Sequence, residues 1–331
     1  MARRRGGAVR YGGAAALLAA LIALPYAIPN PFYLRLATEI LIYGLLAMSL
    51  DVLLGYTGLL SFMHAGYMGI AAYTVGLFLK FVDPSASLWL LMALGVGMTA
   101  VIALPVGWLQ VRTGGFAFAL LSIAFGMMYY TVVWKARNIT GGDDGLIGLA
   151  SPAITLGGRV LASTQNPRAM YFFALVVVGA SFLLTRRIIR SPFGAVLETI
   201  RENEERASFV GFNVQRYKLG AWMLACCLAG VAGVLSTFQN RFVSPTMMDT
   251  NAGGAVLMMT LLGGLGTLWG PYIGVAVFIF VQDYISTVTE HWMIFLGLIV
   301  ILLVLFMPEG IAGLGRYLAR SRWRRFSKQT A

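Results

Sequence analysis

Charge is scarce in this chain. Of its 331 residues only 11% are Asp, Glu, Lys or Arg, 13 acidic and 25 basic, while 59% are hydrophobic. A soluble domain needs more polar surface than that, which argues against a soluble multi-domain enzyme and for a polytopic membrane protein. The mean hydropathy of +0.78 points the same way. Cysteine and histidine occur twice each. Cys226 and Cys227 are adjacent in an apolar stretch, a spacing that suits neither a disulfide framework nor a metal site and reads as two buried small residues. The chain has no G-x-x-x-x-G-K-[ST] phosphate loop, so it is not expected to hydrolyse ATP itself. It also has no H-E-x-x-H, nucleophile elbow or clustered ligand set. The expectation is a non-catalytic chain that binds no cofactor or metal of its own.

What the chain does have is glycine, 39 residues, and a net charge of +12. Small residues let membrane helices approach closely. The charge is clustered: Arg3, Arg4, Arg5 and Arg10 open the chain, seven basic residues fall between Arg186 and Lys218, and six between Arg316 and Lys328. Such clusters beside apolar runs mark cytoplasmic segments and contact with anionic lipid. Nucleic acid is not implied, because no basic stretch is interleaved with stacking aromatics.

Runs long enough to span a bilayer are expected at 12–29, 36–54, 59–82, 88–109, 115–134, 170–185, 219–238 and 291–307. Basic residues ahead of Ala14–Leu24 and Pro25 loosely imitate a signal peptide, but the run continues and further spans follow, so a retained anchor helix is expected. The longer run 252–285 contains Gly263-Gly264-Leu265-Gly266-Thr267-Leu268-Trp269-Gly270-Pro271. That many helix breakers divide it into two short helices or a re-entrant pair. The fold class is therefore all-α, a single transmembrane domain over 1–331 with about ten apolar segments and 8–10 crossings. Ten crossings put both termini in the cytoplasm, as the basic clusters require. Two hydrophilic loops result, an extracytoplasmic one at 135–169 and a cytoplasmic one at 186–218.

The cytoplasmic loop has more order than a passive connection needs. Ser191-Pro192 predicts a helix start. Phe193, Val196, Leu197 and Ile200 then recur at helical spacing. Glu198 with Arg201 and Glu202 with Arg206 are placed to pair along the polar side. A second short helix is expected over 204–210, ending at Gly211. The mixed charge disfavours membrane binding, where a mainly basic face is expected. Docking into a protein partner fits better.

The spacing Glu205-x-Ala207-x-x-x-Gly211 resembles the E-A-A-x-x-x-G loop through which ABC importer permeases couple to ATPase subunits, although Arg206 replaces the second residue of that triad. Further blocks follow in order. They are Ile42-Tyr43 through Asp51-Val-Leu-Leu-Gly55-Tyr-Thr-Gly58-Leu-Leu-Ser61 with His64, then Thr140-Gly-Gly-Asp-Asp-Gly-Leu146, Gly263-Gly-Leu-Gly266 and Pro308-Glu-Gly310. Together, over about 36–315, they resemble the permease family for branched-chain amino acid uptake, most of all its M-type membrane subunit.

The resemblance implies two separate ATPase subunits holding ATP and Mg, a second related permease subunit and an extracytoplasmic solute-binding protein, in the inner membrane of a prokaryote. It assigns ATPase coupling to Glu205, Ala207 and Gly211, with Phe193, Val196, Leu197, Phe209 and Phe212 as docking side chains. Gly141, Gly142, Asp143, Asp144 and Gly145 become turn residues and a candidate contact for the binding protein. Branched-chain amino acids are the family's default substrates, with urea, amides and small aromatic acids among its relatives. A stand-alone carrier is the alternative class, disfavoured by the lack of paired charges within the membrane.

A zwitterion loses hydration in hydrocarbon, so a polar route is required. Broken glycine-rich helices supply backbone polar groups for one, and Ser61, His64, Gly66, Gly69, Asn251, Gly254, Gly263 and Gly264 are the candidates. Glu39 and Asp51, near opposite ends of one span, and Asp283 and Glu290, near a later outer connection, read as structural or interfacial. For His64 the ligand count excludes a metal site. A hydrogen bond fixing two helices and a place on the route both stay open.

Overall fold

The structure is a computed structural model that describes residues 19–27, 30–156 and 159–289, with scattered positions between 291 and 313. The arginines at the start of the chain, Glu290, most of the expected span 291–307, Pro308, Glu309 and the basic stretch 316–328 lie outside the described residues. In chain order the helices are α1 (described over 19–27), α2 (Pro31–Thr57), α3 (Ala65–Phe81), α4 (Leu88–Gln110), α5 (Gly115–Lys135) and the single turn α6 (Arg137–Thr140). They continue as α7 (Pro167–Ile189), α8 (Pro192–Glu202), α9 (Glu204–Phe209), α10 (Val214–Asn240), α11 (Thr250–Gly263) and α12 (Gly270–Val288).

Among the described residues α2, α4, α5, α7 and α10 are long and apolar enough to cross a membrane, while α3 and α11 are shorter apolar helices of 17 and 14 residues. The chain is thus a multi-pass, mainly helical membrane protein with five full-length spans described. The break expected near 263–271 is present, since α11 ends at Gly263 and α12 begins at Gly270. Two expectations need correction. The span at 59–82 is helical only from Ala65. The 135–169 loop also holds short strands: β1 (Leu146–Ile147) pairs antiparallel with β4 (Phe242–Val243), and β2 (Ala153–Leu156) with β3 (Arg159–Ser163). Outside a helix, backbone groups must find partners elsewhere, and these ladders supply them.

Local chemistry sets the helix ends. Asn30 caps α2 by accepting from Phe32 N at 3.0 Å, with Pro31 in the first turn, and Gly58 closes it at φ 73°. Asn213 caps α10 at Arg216 N. Ser191 occupies the cap position of α8, yet its hydroxyl turns back to donate to the Ile188 carbonyl at 2.6 Å, so it does not cap as expected. The expected pairs of Glu198 and Glu202 do not form either. The ion pair among the described residues joins buried Lys218 of α10 to Glu204 at the start of α9, 2.5 Å apart. Exposed pairs gain little in water, whereas a buried ammonium needs its counter-charge.

Burial separates centre from rim. In α2 78% of the apolar window is buried and in α10 67%, against 33% in α4 and 28% in α5 and α7. Helices α2 and α10 form the axis. Helices α3 and α4 pack on α10, and α7, α11 and α12 pack on α2. Glycine makes the closest crossing possible: a Cβ at Gly233 of α10 would overlap the Met68 carbonyl of α3. Gly107 of α4 leaves room for the Trp222 ring, whose Nε1 donates to the Ala103 carbonyl at 2.9 Å, within the turn disturbed by Pro105. Trp222 meets Tyr67 and Phe118 edge-on at centroid distances of 5.3 and 5.6 Å, a favourable aromatic geometry. Gly233→Val is expected to force α3 from α10 at a cost of about 1–3 kcal/mol, read as a lower melting temperature of the detergent-solubilised protein.

Candidate functional site

After α2 the chain doubles back into the helical body. Residues 58–64 are not helical, and His64 stands at the start of α3, buried, with Nε2 2.9 Å from the Ser49 hydroxyl of α2. Ser49 lies eight residues before the end of α2, so α3 begins about 12 Å inside that end. The irregular segment is held by protein, as it must be at membrane depth. Phe62 N donates to Ser122 Oγ of α5 at 3.0 Å, and Gly253 of α11 lies against the Phe62 carbonyl. Ser49 uses its own proton on the Leu46 carbonyl at 2.6 Å. Its bond to His64 is therefore donated by Nε2–H. This is a helix-fixing hydrogen bond, the first of the two roles left open for His64.

A cavity of about 480 Å³ opens beside these irregular segments. Helix α2 contributes Glu39, Tyr43 and Leu46, and the first turns of α3 and α11 contribute Ala65, Met68, Asn251 and Ala252. Helix α12 closes it with Phe278, Ile279 and Gln282. Asp249 borders it too, but is committed: it caps α11 through Ala252 N at 2.7 Å and accepts from Asn251 Nδ2 at 3.3 Å.

The Thr57 end of α2 carries the second polar cluster. Asp51, fully buried, accepts from Gly266 N at 2.7 Å and Leu268 N at 3.1 Å, both in the break between α11 and α12. Tyr56 donates to the Gly266 carbonyl at 3.0 Å. Arg201 of α8 donates to the Gly55 carbonyl. One cluster thus joins the surface helix α8, the end of α2 and the broken helix pair. In this cluster Asp51 has the structural role expected of it.

The other sequence candidates separate clearly. Asn251 lines the cavity, and Gly254 borders open space. Ser61 is buried, Gly66 faces Tyr129 and Gly69 faces Met248. Gly263 and Gly264 pack in the α11–α12 break, against Gly270 and Gly310 respectively. Of these candidates Asn251 lines the cavity, and Ser61, Gly66, Gly69, Gly263 and Gly264 do not. Cavity residues missed as such include Glu39, Tyr43 and Leu46. Their spacing of four and three residues along α2 was the available signal, hidden because α2 is apolar all round.

In the 186–218 loop, Ala207 is buried with Val196, Ile200 and Val214, and Gly211 turns at φ 98°, a conformation that favours glycine. Glu205 is exposed. Of the five side chains expected to dock, Val196 and Leu197 are buried within this chain. Phe193 and Phe212 both pack on the Tyr217 ring at 5.6 and 5.9 Å. Phe209 alone is free, 87% exposed, beside Val210 at 70%. In the opposite loop Gly141, Gly142 and Gly145 all have positive φ, and Asp143 and Asp144 form an exposed single turn between them. Leu146 next to this turn pairs with Val243.

Broken helices enclosing a cavity, with a polar cluster tying them to a surface helix, define a membrane permease body. The profile described as branched-chain amino acid transport system / permease component matches residues 32–305, and the chain belongs to that family. It is 26% identical to the high-affinity branched-chain amino acid transport system permease protein LivM of Escherichia coli (strain K12), over 91% of this chain and 74% of the relative. It is 27% identical to the corresponding LivH of Salmonella typhimurium, over 82% and 91% respectively. A probable LivM of Methanocaldococcus jannaschii is 23% identical over 53% of each chain. No solved structure matches this chain at a significant level.

Substitutions at two residues test the polar contacts. Asp51→Ala leaves two buried N–H groups without an acceptor and is expected to cost about 2–4 kcal/mol, seen as reduced folded yield and melting temperature. His64→Ala is expected to cost about 1 kcal/mol, and His64→Gln, which keeps a donor towards Ser49, less than that.

Proposed function

We propose that this chain is the non-catalytic permease subunit of an ATP-driven importer for branched-chain or related amino acids, working by alternating access. The observation that carries this reading is the linkage of α8 to the cavity-forming helices, through Arg201 at Gly55 and Asp51 at Gly266 and Leu268. In this reading α8 and α9 face the cytoplasm of a prokaryotic cell, and both termini lie on that side of the inner membrane. Two ATPase subunits, which hold ATP and Mg, seat against the exposed Phe209 and Val210 beside Glu205. Ala207 and Gly211 give the element its shape. A buried alanine brings α9 close to α10, and the left-handed glycine turns the chain back into the membrane.

Closure of the ATPases moves α8. That motion passes to the end of α2 and to the α11–α12 break, and the cavity changes the side on which it opens. The solute-binding protein docks at the opposite end, near Gly141 to Gly145. The similarity to both LivM and LivH supports a pair of related permease subunits around one route.

Deleting 194–211 is expected to abolish ATP-dependent uptake in proteoliposomes while the protein still inserts into membranes. Uptake at the wild-type rate would overturn the reading, as would gradient-driven transport by this chain alone without ATP. Phe209→Ala is expected to weaken binding of the ATPase subunits about tenfold or more, as loss of an aromatic anchor does, measured by titrating them onto the reconstituted permease.

A further inference from the structure

Glu39 is the one charged group of the cavity that nothing else in the chain employs. It stands in the wall on α2, and among the described residues no side chain pairs with it or hydrogen-bonds to it. Asp249, the other acid there, has both oxygens engaged by Ala252 N and Asn251. No Lys, Arg or His lines the cavity. The remaining wall is largely apolar, formed by Leu46, Met68, Val256, Met259, Phe278 and Ile279. A carboxylate kept inside a membrane body without a partner is costly and marks function. The cavity therefore has an acidic point and an adaptable aliphatic and thioether surface, within the range of about 300–1,000 Å³ usual for small-molecule sites. Thioether side chains repack readily around branched apolar groups.

We infer that Glu39 binds the ammonium group of the transported amino acid, with the aliphatic side chain laid against Met68 and Met259. This deepens the importer reading and rests on it. An ammonium presents three donors to a single carboxylate, a charge-assisted bond that strengthens where water is excluded. A metal ion is the poorer fit: a calcium site needs six or more oxygens, and one uncommitted carboxylate does not approach that. Among the described residues no group of three His, Cys, Asp or Glu stands together to hold one. The same geometry discriminates between substrates. A branched-chain acid lacking the amine brings a like charge to Glu39 and is rejected, whereas the amine lacking the carboxylate is accepted.

The test is equilibrium binding of radiolabelled leucine to the purified, complete transporter without its binding protein, with 3-methylbutylamine and 4-methylpentanoate as competitors. The amine is expected to compete and the acid to compete at least about tenfold less well, and Glu39→Gln to weaken leucine binding about tenfold and remove the preference for the amine. Glu39→Asp, which keeps the charge, is expected to recover that preference. A purely structural role for Glu39 would not move the amine-to-acid ratio. Equal competition by acid and amine, leucine binding unchanged in Glu39→Gln, or no saturable binding at millimolar leucine would each overturn the assignment. Leucine uptake by proteoliposomes containing the binding protein separates the two levels. Uptake by wild type with a Gln-insensitive site removes the role of Glu39 alone, and no ATP-dependent uptake removes the importer reading with it.

Discussion

The carboxylate of Asp51 holds the irregular heart of this molecule together. Helices in a bilayer satisfy their own backbones, but a break leaves N–H and C=O groups that no water reaches. Between α11 and α12 that deficit falls at Gly266 and Leu268, and Asp51 meets both from the neighbouring helix. The pairing solves two problems at once, because a buried carboxylate also needs donors. Once the break is held to α2, α11 and α12 have a fixed position against the axis, and the cavity between them has defined walls.

The same economy recurs on the other side of the cavity. Residues 58–64 form a second interruption, and the side chains of Ser49 and Ser122 and the missing side chain of Gly253 accommodate it. The cavity itself is walled by the helices that flank these interruptions, α2, the first turn of α3, α11 and α12. The surrounding helices are closed by glycine, aromatic edges and a buried ion pair at Lys218, so the irregular centre sits in a rigid frame.

Much of this was legible in the sequence, for physical reasons that differ from element to element. The apolar runs of α2, α4, α5, α7 and α10 are long, and the glycine and proline cluster at 263–271 has no helical solution. The amphipathic pattern of α8 was legible too, but pattern alone could not say which apolar residues face the chain's own core. Val196 and Leu197 look like Phe209 in sequence and are opposite to it in burial. The irregular start of α3 was hidden because Ser61 to His64 are as apolar in context as the helix that follows, and only the Ser49 contact fixes its depth. In the sequence Glu39 is only a charge near the end of a span, a position that suggests access to water. Its place on a cavity wall depends on α12, which no local pattern brings alongside.

Helix α2 also has a geometric consequence. Gly55, where Arg201 attaches, and Glu39 are sixteen residues apart on one unbroken helix, about 24 Å along its axis. A rigid rod of that length is a lever. Tilting it by about 5° from the Gly55 end displaces Glu39 by about 2 Å, close to the difference between a hydrogen-bonded carboxylate and one beyond reach. A small displacement at the surface helix is thus enough, by leverage alone, to make or release a contact on the far side of the membrane body.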